Sequence, residues 1–191
     1  MDISVKRGHA HEQKTACLIV GVHAGKRLSA AAEALDKATR GLVSRLVKRG
    51  DLGGALNETL MLPEAPGTGA ERVLLVGCGK PDGLKPAEYL ALVQKVARTV
   101  SDAGLRNAVS CLGGVHVRDR DLGWKLRQTA LAFGACAYRF EQMKSKPSKR
   151  APFQRLGLLV DAEEQADAQH AVNTAKGLLA GLSVMKDLAN L

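Results

Sequence analysis

The sequence predicts a layered α/β domain in which helices cover a mixed, largely parallel β-sheet. Two short apolar runs, at residues 17–20 and 73–76, are typical of strands that are covered on both faces. Helical patterns of roughly 10 to 20 residues alternate with such strands, as they do in βαβ units. Hydrophobic residues make up 46% and charged residues 25% of the 191 residues, which supplies enough apolar material for one compact core.

The first half of the chain is predicted to hold four strands and two helices. The strands are expected at residues 3–6, 16–22, 57–62 and 73–76. Ser29 is a favourable N-cap for an alanine-rich helix that reaches about Lys37. A second amphipathic helix is expected over about residues 40–48, before a glycine-rich break.

The second half continues the alternation with a long helix, a strand and another long helix. Pro86 suits the first position of a helix, and Gly104 suits its end. A strand is expected at residues 108–112. Asp121 then begins a helix whose apolar positions extend to Phe140.

The remaining residues predict a loop, a strand and a last helix. Residues 144–152 are basic, contain two prolines and are expected to form a loop. A strand is predicted at residues 156–160, and Asp161 is expected to cap a helix that continues to the final residue. That helical pattern stops on Leu191 without a glycine, a proline or a polar tail, so we expect the chain to be cut from a longer protein.

Composition excludes a membrane protein and a secreted disulfide protein. No segment approaches the roughly 18 consecutive apolar residues of a membrane span, and the N-terminus lacks the pattern of a signal peptide. We therefore expect a soluble, cytoplasmic protein with no membrane partner. The four cysteines are far apart and form no CxxC pair, so buried free thiols are expected: Cys17, Cys78, Cys111 and Cys136.

The sequence contains no strong catalytic motif, so we expect neither a catalytic residue nor a metal ligand in this chain. The metalloprotease pattern HExxH and the nucleophile pattern GxSxG are both missing from the sequence. His9 and His11 are closely spaced, but a metal site needs three or four converging ligands, which favours exposed turn residues. The glycine-rich segments 77–79 and 113–114 depart from known phosphate-binding spacings, which favours strand-ending turns over phosphate cradles.

Clusters of basic residues are the clearest candidate binding feature. The formal net charge is +9, which raises the expectation of a polyanionic partner such as DNA. A solvated surface is the alternative, and the shortage of aromatic residues argues against a single-strand binder. The candidate nucleic-acid contacts are Lys144, Lys146, Lys149, Arg150 and Arg155 in one cluster, and Arg45, Lys48 and Arg49 in the other.

Three segments together resemble the cytosol (leucyl) aminopeptidases of bacterial type. Residues 72–80 (RVLLVGCGK) resemble a strand and turn of that family's N-terminal domain. Residues 132–141 (AFGACAYRFE), followed closely by Lys144-Ser145, resemble its long helix and its Tyr-x-Phe…Lys-Ser signature. Residues 186–191 (KDLANL) are similar to the stretch Arg-Asp-Leu-x-Asn-x-Pro that begins the family's catalytic domain, with Lys186 in the place of arginine.

The resemblance implies a fold, a division of the chain and a role. It implies a three-layer α/β/α sandwich similar to the macro domain, with residues 1–160 as a non-catalytic domain and residues 161–191 as a linker helix to a catalytic domain. It further implies a parent enzyme, usually a hexamer, that releases N-terminal amino acids from peptides with two divalent metal ions, zinc or manganese, held in the catalytic domain. The alternatives are a DNA-binding module and a macro-domain-like binder of ADP-ribose.

Overall fold

The computed structural model describes residues 1–138 and 152–190, which form seven strands and five α-helices. The strands are β1 (Asp2–Lys6), β2 (Leu18–His23), β3 (Arg27–Leu28), β4 (Thr59–Leu62), β5 (Val73–Gly77), β6 (Asn107–Ser110) and β7 (Arg155–Leu159). The helices are α1 (Ala30–Ala38), α2 (Leu42–Arg49), α3 (Pro86–Asp102), α4 (Leu122–Ala137) and α5 (Gln165–Ala189).

All seven strands belong to one sheet of mixed direction. Its order is β1-β7-β6-β2-β5-β4, and β3 pairs with β2 outside this path. The neighbours from β1 to β5 are parallel, whereas β4 and β3 pair in antiparallel fashion. The predicted mixed, largely parallel sheet is therefore confirmed.

The central strands separate two apolar cores because their side chains alternate between the two faces of the sheet. On β2, Ile19 belongs to the core under α3, α4 and α5, whereas Leu18 and Val20 belong to the core under α1 and α2. On β5, Leu74 and Leu75 divide in the same way. Helices on both faces complete the three layers that the family resemblance implied.

Local sequence signals begin most helices where they were predicted. The Ser29 hydroxyl accepts a hydrogen bond from the Ala32 amide at 3.2 Å, and the Asp121 carboxylate accepts one from the Trp124 amide at 2.6 Å. Pro86 occupies the first residue of α3. These groups satisfy amide donors that the first turn of a helix leaves free.

Several boundaries differ from the sequence predictions. The strand predicted at residues 108–112 ends at Ser110, because the Ser110 hydroxyl accepts a hydrogen bond from the Leu112 amide and a short 3-10 turn, Leu112–Gly114, follows. Asp161 caps another 3-10 turn, Ala162–Glu164, before α5 begins. The helix predicted to continue to Phe140 ends at Ala137, since Tyr138 has extended backbone angles. The predicted loop at residues 144–152 lies almost entirely outside the described residues.

The helix α5 contributes fully buried side chains to the core over its first half only. Four of its alanine and valine side chains are buried in the core beneath α4: Ala168, Ala171, Val172 and Ala175. Beyond Ala175 no side chain of α5 that the structure describes is fully buried. The residues assigned to a linker helix, 161–191, therefore begin with a segment that completes the core, and the division at residue 160 stays a prediction.

Candidate functional site

The carboxyl ends of β2 and β5 form the edge at which open α/β sheets usually bind ligands. Here the loop at residues 53–57 covers that edge. A Cβ atom placed on Gly77 would lie 1.9 Å from the Ala55 carbonyl oxygen, and one on Gly54 would lie 2.3 Å from that of His23. Main chain therefore contacts main chain at this point, and only glycine allows the approach.

The amides of the glycine-rich turn after β5 are already paired. The Gly77, Cys78 and Gly79 amides donate to the carbonyl oxygens of Glu58, Val22 and Gly54 at 2.8 to 2.9 Å. A phosphate cradle needs amides that point to the ligand. The geometry therefore favours the strand-ending turn that the sequence indicated and weighs against ADP-ribose in this place.

The second glycine pair, at residues 113–114, lies beside α4. A Cβ atom on Gly113 would approach Leu122 and Leu126 within 3.2 Å. The Lys125 amine donates hydrogen bonds to the Gly113 and Val115 carbonyl oxygens at 2.5 and 3.1 Å. Burial lowers the pKa of Lys125, and the nearby carboxylates partly oppose this effect. This lysine, which sequence analysis did not single out, fixes the turn after β6.

One histidine at the same sheet edge has an unusual environment. His23 ends β2, and its Nδ1 atom is buried without a hydrogen-bond partner. Burial lowers the pKa of His23, and the neighbouring Gly79 backbone opposes this effect to a smaller extent. The side-chain oxygen of Asn57, in the covering loop, is also buried without a partner.

Three of the four cysteines are structural rather than reactive. All four are free thiols; Cys17, Cys78 and Cys111 are buried, and Cys136 is partly exposed. Burial raises the pKa of Cys17, Cys78 and Cys111 to about 12 in each case. A thiol with such a pKa is a poor nucleophile at neutral pH, so the prediction of buried free thiols is confirmed for these three.

Across residues 1–138 and 152–190, no group of three or more His, Cys, Asp and Glu side chains is placed to hold a metal ion. His9 and His11 stack with their ring centroids 5.6 Å apart, and His11 lies 3.9 Å from Glu12. His9 is exposed and His11 is half-buried.

The predicted basic contacts that the structure describes lie on two different elements, α2 and β7. Arg45, Lys48 and Arg49 are exposed on one face of α2, where Arg45 donates to the Arg40 carbonyl oxygen at 2.7 Å and Arg49 pairs with Asp51. Arg155 is exposed at the beginning of β7, in register with Asp2 and Asn107. The other four predicted contacts, Lys144, Lys146, Lys149 and Arg150, lie outside the described residues.

Two segments that carried the family resemblance contact each other at the ends of α4 and α5. The Tyr138 hydroxyl donates a hydrogen bond to the Asp187 carboxylate at 2.8 Å. The Lys186 amine lies 4.8 Å from the centroid of the Tyr138 ring, which is a cation–π contact. The residue pattern of neither segment predicts this contact.

The part of the chain that the structure describes holds no helix long and apolar enough to cross a membrane. The chain matches the family model described as the cytosol aminopeptidase family, N-terminal domain, over residues 19–147. It is 41% identical over 192 residues to a probable cytosol aminopeptidase of Actinobacillus pleuropneumoniae. That alignment covers all of this chain and 38% of the relative.

Solved structures show the same fold. A mutant of tomato leucine aminopeptidase superposes with a TM-score of 0.68 at 19% identity, covering 95% of this chain and 36% of that one. The macrodomain of DarG from Mycobacterium tuberculosis superposes with a TM-score of 0.60 at 13% identity, covering 82% of this chain and 96% of that one. The prediction of a macro-domain-like α/β fold is confirmed.

Proposed function

The chain belongs to the cytosol aminopeptidase family, as an N-terminal domain of that family, and from this premise we propose that it is the non-catalytic domain of a metal-dependent leucyl aminopeptidase. The observation that carries the proposal is the extent of the match. The alignment covers the whole chain, yet the chain spans only 38% of the length of the curated relatives. The parent protein then releases N-terminal amino acids from peptides in the cytoplasm.

The metal ions belong to another part of that parent protein. The larger part of each curated relative lies outside the alignment with this chain, and we assign the two divalent ions, zinc or manganese, to that downstream catalytic domain. The contribution of this domain is structural. It helps to shape the oligomer, which is a hexamer in this proposal, and the access of peptides to the active site.

An activity assay tests whether catalysis requires the domain downstream of this chain. The 191-residue chain is incubated with leucine amide and either zinc or manganese, and released leucine is measured with and without a chelator. We expect no turnover by the chain alone, and metal-dependent turnover by a protein that continues beyond Leu191 as the relatives do. Hydrolysis by the short chain that the chelator abolishes would contradict the proposal.

A second candidate function, DNA binding, is favoured by the position of three arginine and lysine side chains. Arg45, Lys48 and Arg49 follow the i, i+3, i+4 spacing, and all three are exposed on α2. Such a face can contact the phosphates of a DNA backbone. The affinity is then independent of the DNA sequence and decreases as the salt concentration rises. The pairing of Arg49 with Asp51 removes part of that charge.

The test compares two double variants that lose the same charge. The variant Arg45→Ala with Lys48→Ala changes α2, whereas Lys80→Ala with Lys85→Ala removes two exposed lysines elsewhere. The measured quantity is the slope of log affinity for duplex DNA against log salt concentration, which is negative. If α2 contacts phosphates, the first variant reduces the magnitude of this slope by about 1 to 2, and the second variant leaves it unchanged. Equal slopes in the wild type and both variants would exclude α2 as the contact.

A further inference from the structure

The outward face of α5 changes character halfway along the helix. Between Gln165 and Lys176 the exposed positions are mainly polar, as at Gln169 and Asn173. Beyond Lys176 they are mainly apolar. Five large apolar side chains in this second half are between 39% and 68% exposed: Leu178, Leu182, Val184, Met185 and Leu188.

These five side chains, which we term the α5 stripe, form one surface. Leu178, Leu182 and Met185 follow the i, i+4, i+7 spacing of a single helix face, and Val184 and Leu188 widen it. Single exposed apolar residues are ordinary on protein surfaces, whereas a contiguous group marks an interaction site. The polar first half of the same helix shows that the apolar character is confined to this region.

The α5 stripe borders a groove. A cavity of about 400 Å³ lies between α4 and α5 and is lined by Leu131, Leu179 and Leu182, among others. A second cavity of about 340 Å³ between α3 and α4 shares Leu131 and Leu182 with the first. The groove therefore continues from α5 across α4 to α3, where Gln94 and Arg98 add polar groups to its lining.

Contacts of Tyr138 hold the end of α5 against α4. Its hydroxyl binds Asp187, and its ring lies under the Lys186 amine. Both charged side chains contact the aromatic residue that follows α4, so the last turns of α5 pack against the end of α4. The α5 stripe therefore lies beside the groove.

We propose that the α5 stripe and the adjoining groove form the docking surface for the domain that follows α5 in the longer protein. This inference rests on the proposed function. The matched family model is an N-terminal domain, and the larger part of each curated relative lies outside the alignment. A domain tethered at the end of α5 meets this surface at a high effective concentration.

The chemistry of the surface fits a protein partner. Its exposed side chains are aliphatic and thioether groups, which bury favourably against another apolar surface. DNA would need a row of cations, whereas the described lining of the two cavities offers two: Arg98, and Lys186, which already contacts Tyr138. The occupant is therefore an apolar face of the tethered domain.

Hydrogen exchange tests the proposal in the chain and in a protein that continues beyond Leu191. We expect the amides of residues 178–188 to exchange at least about tenfold more slowly in the longer protein. The double variant Leu182→Glu with Met185→Glu removes that slowing. The matched control, Gln169→Glu with Asn173→Glu, adds the same charge to the polar half of α5, and we expect it to retain the slower exchange. In the short chain, both variants keep the wild-type circular dichroism spectrum, since all four positions are exposed.

Equal exchange in the short and long proteins would overturn the proposal. A second result would also overturn the proposal. If the short chain self-associates, the Leu182→Glu, Met185→Glu variant abolishes that self-association, and exchange in the longer protein is unchanged, the surface binds a second copy of the chain. Leucine amide hydrolysis, measured on the same long protein, reports on the proposed function separately. Hydrolysis without slowed exchange refutes docking alone, whereas slowed exchange without hydrolysis supports docking and refutes the aminopeptidase proposal.

Discussion

Gly77 lies where the loop at residues 53–57 crosses the end of β5. A Cβ atom there meets the Ala55 carbonyl oxygen at 1.9 Å, and main-chain atoms cannot move aside as a flexible side chain can. We expect Gly77→Ala to lower the free energy of unfolding by about 1 to 3 kcal/mol, as overpacking does elsewhere. Urea denaturation measures this change.

Gly114 provides the matched control for this prediction. It is exposed, and a Cβ atom there would meet nothing within 4 Å. Gly114→Ala should therefore change the free energy of unfolding by less than about 0.5 kcal/mol. Similar losses in the two variants would show that residue 77 tolerates a side chain and that the loop does not press on the end of β5.

His23 predicts a dependence of stability on pH. Burial lowers its pKa in the folded protein below the ordinary value of 6.5, so the unfolded chain binds more protons in the interval between the two values. The free energy of unfolding therefore falls as pH drops through this interval. Between pH 7.5 and pH 5, we expect the urea midpoint of His23→Gln to change less with pH than that of the wild type. An unchanged pH profile in the variant would assign the dependence to other groups.

At the scale of elements, side-chain caps stabilise the beginnings of helices. The Asp121 carboxylate accepts the Trp124 amide at the beginning of α4. Asp121→Ala should lower the free energy of unfolding by about 0.5 to 2 kcal/mol, and Asp121→Ser should recover most of it because serine also caps helices well. Thermal unfolding followed by circular dichroism measures both. If serine is as destabilising as alanine, the carboxylate acts through its charge rather than as a cap.

Elements that depend on local sequence were predictable, and those that depend on distant contacts were not. Ser29, Pro86 and Asp121 act within one helical turn, so the sequence showed them directly. β3 has only two residues and exists because a turn brings it back onto β2, which leaves no periodic pattern to detect. The end of the strand predicted at residues 108–112 was missed because the Ser110 side chain begins a turn.

The candidate binding features divide in the same way. The glycine turn at residues 77–79 was predictable as a turn, but the loop that covers it comes from elsewhere in the sequence. The exposed cations of α2 follow from helical spacing. The contact between Tyr138 and Asp187 joins residues 49 positions apart and required the packing of α4 on α5. Helical spacing cannot indicate which helix a face will meet.

At the scale of the whole molecule, the sheet joins the two apolar cores. Ile19 and Val20 are neighbours on β2 but belong to opposite faces, so neither core can separate without breaking the same strands. Truncating one side chain on each face of the sheet, with Leu35→Ala on α1 and Leu92→Ala on α3, should lower the free energy of unfolding by about 2 to 5 kcal/mol each. Both side chains are fully buried.

If the two cores unfold as one unit, each variant shifts a single transition. Trp124 lies 5.8 Å from Tyr89, measured between ring centroids, and its fluorescence reports on the α3–α4 face alone, whereas far-ultraviolet circular dichroism reports on all elements. We expect the two signals to give the same urea midpoint in the wild type and in both variants, since coincident transitions indicate two-state unfolding. A Leu35→Ala protein whose circular dichroism changes before its tryptophan fluorescence would show that the face carrying α1 and α2 unfolds on its own, and the strands shared between the cores would then not couple them.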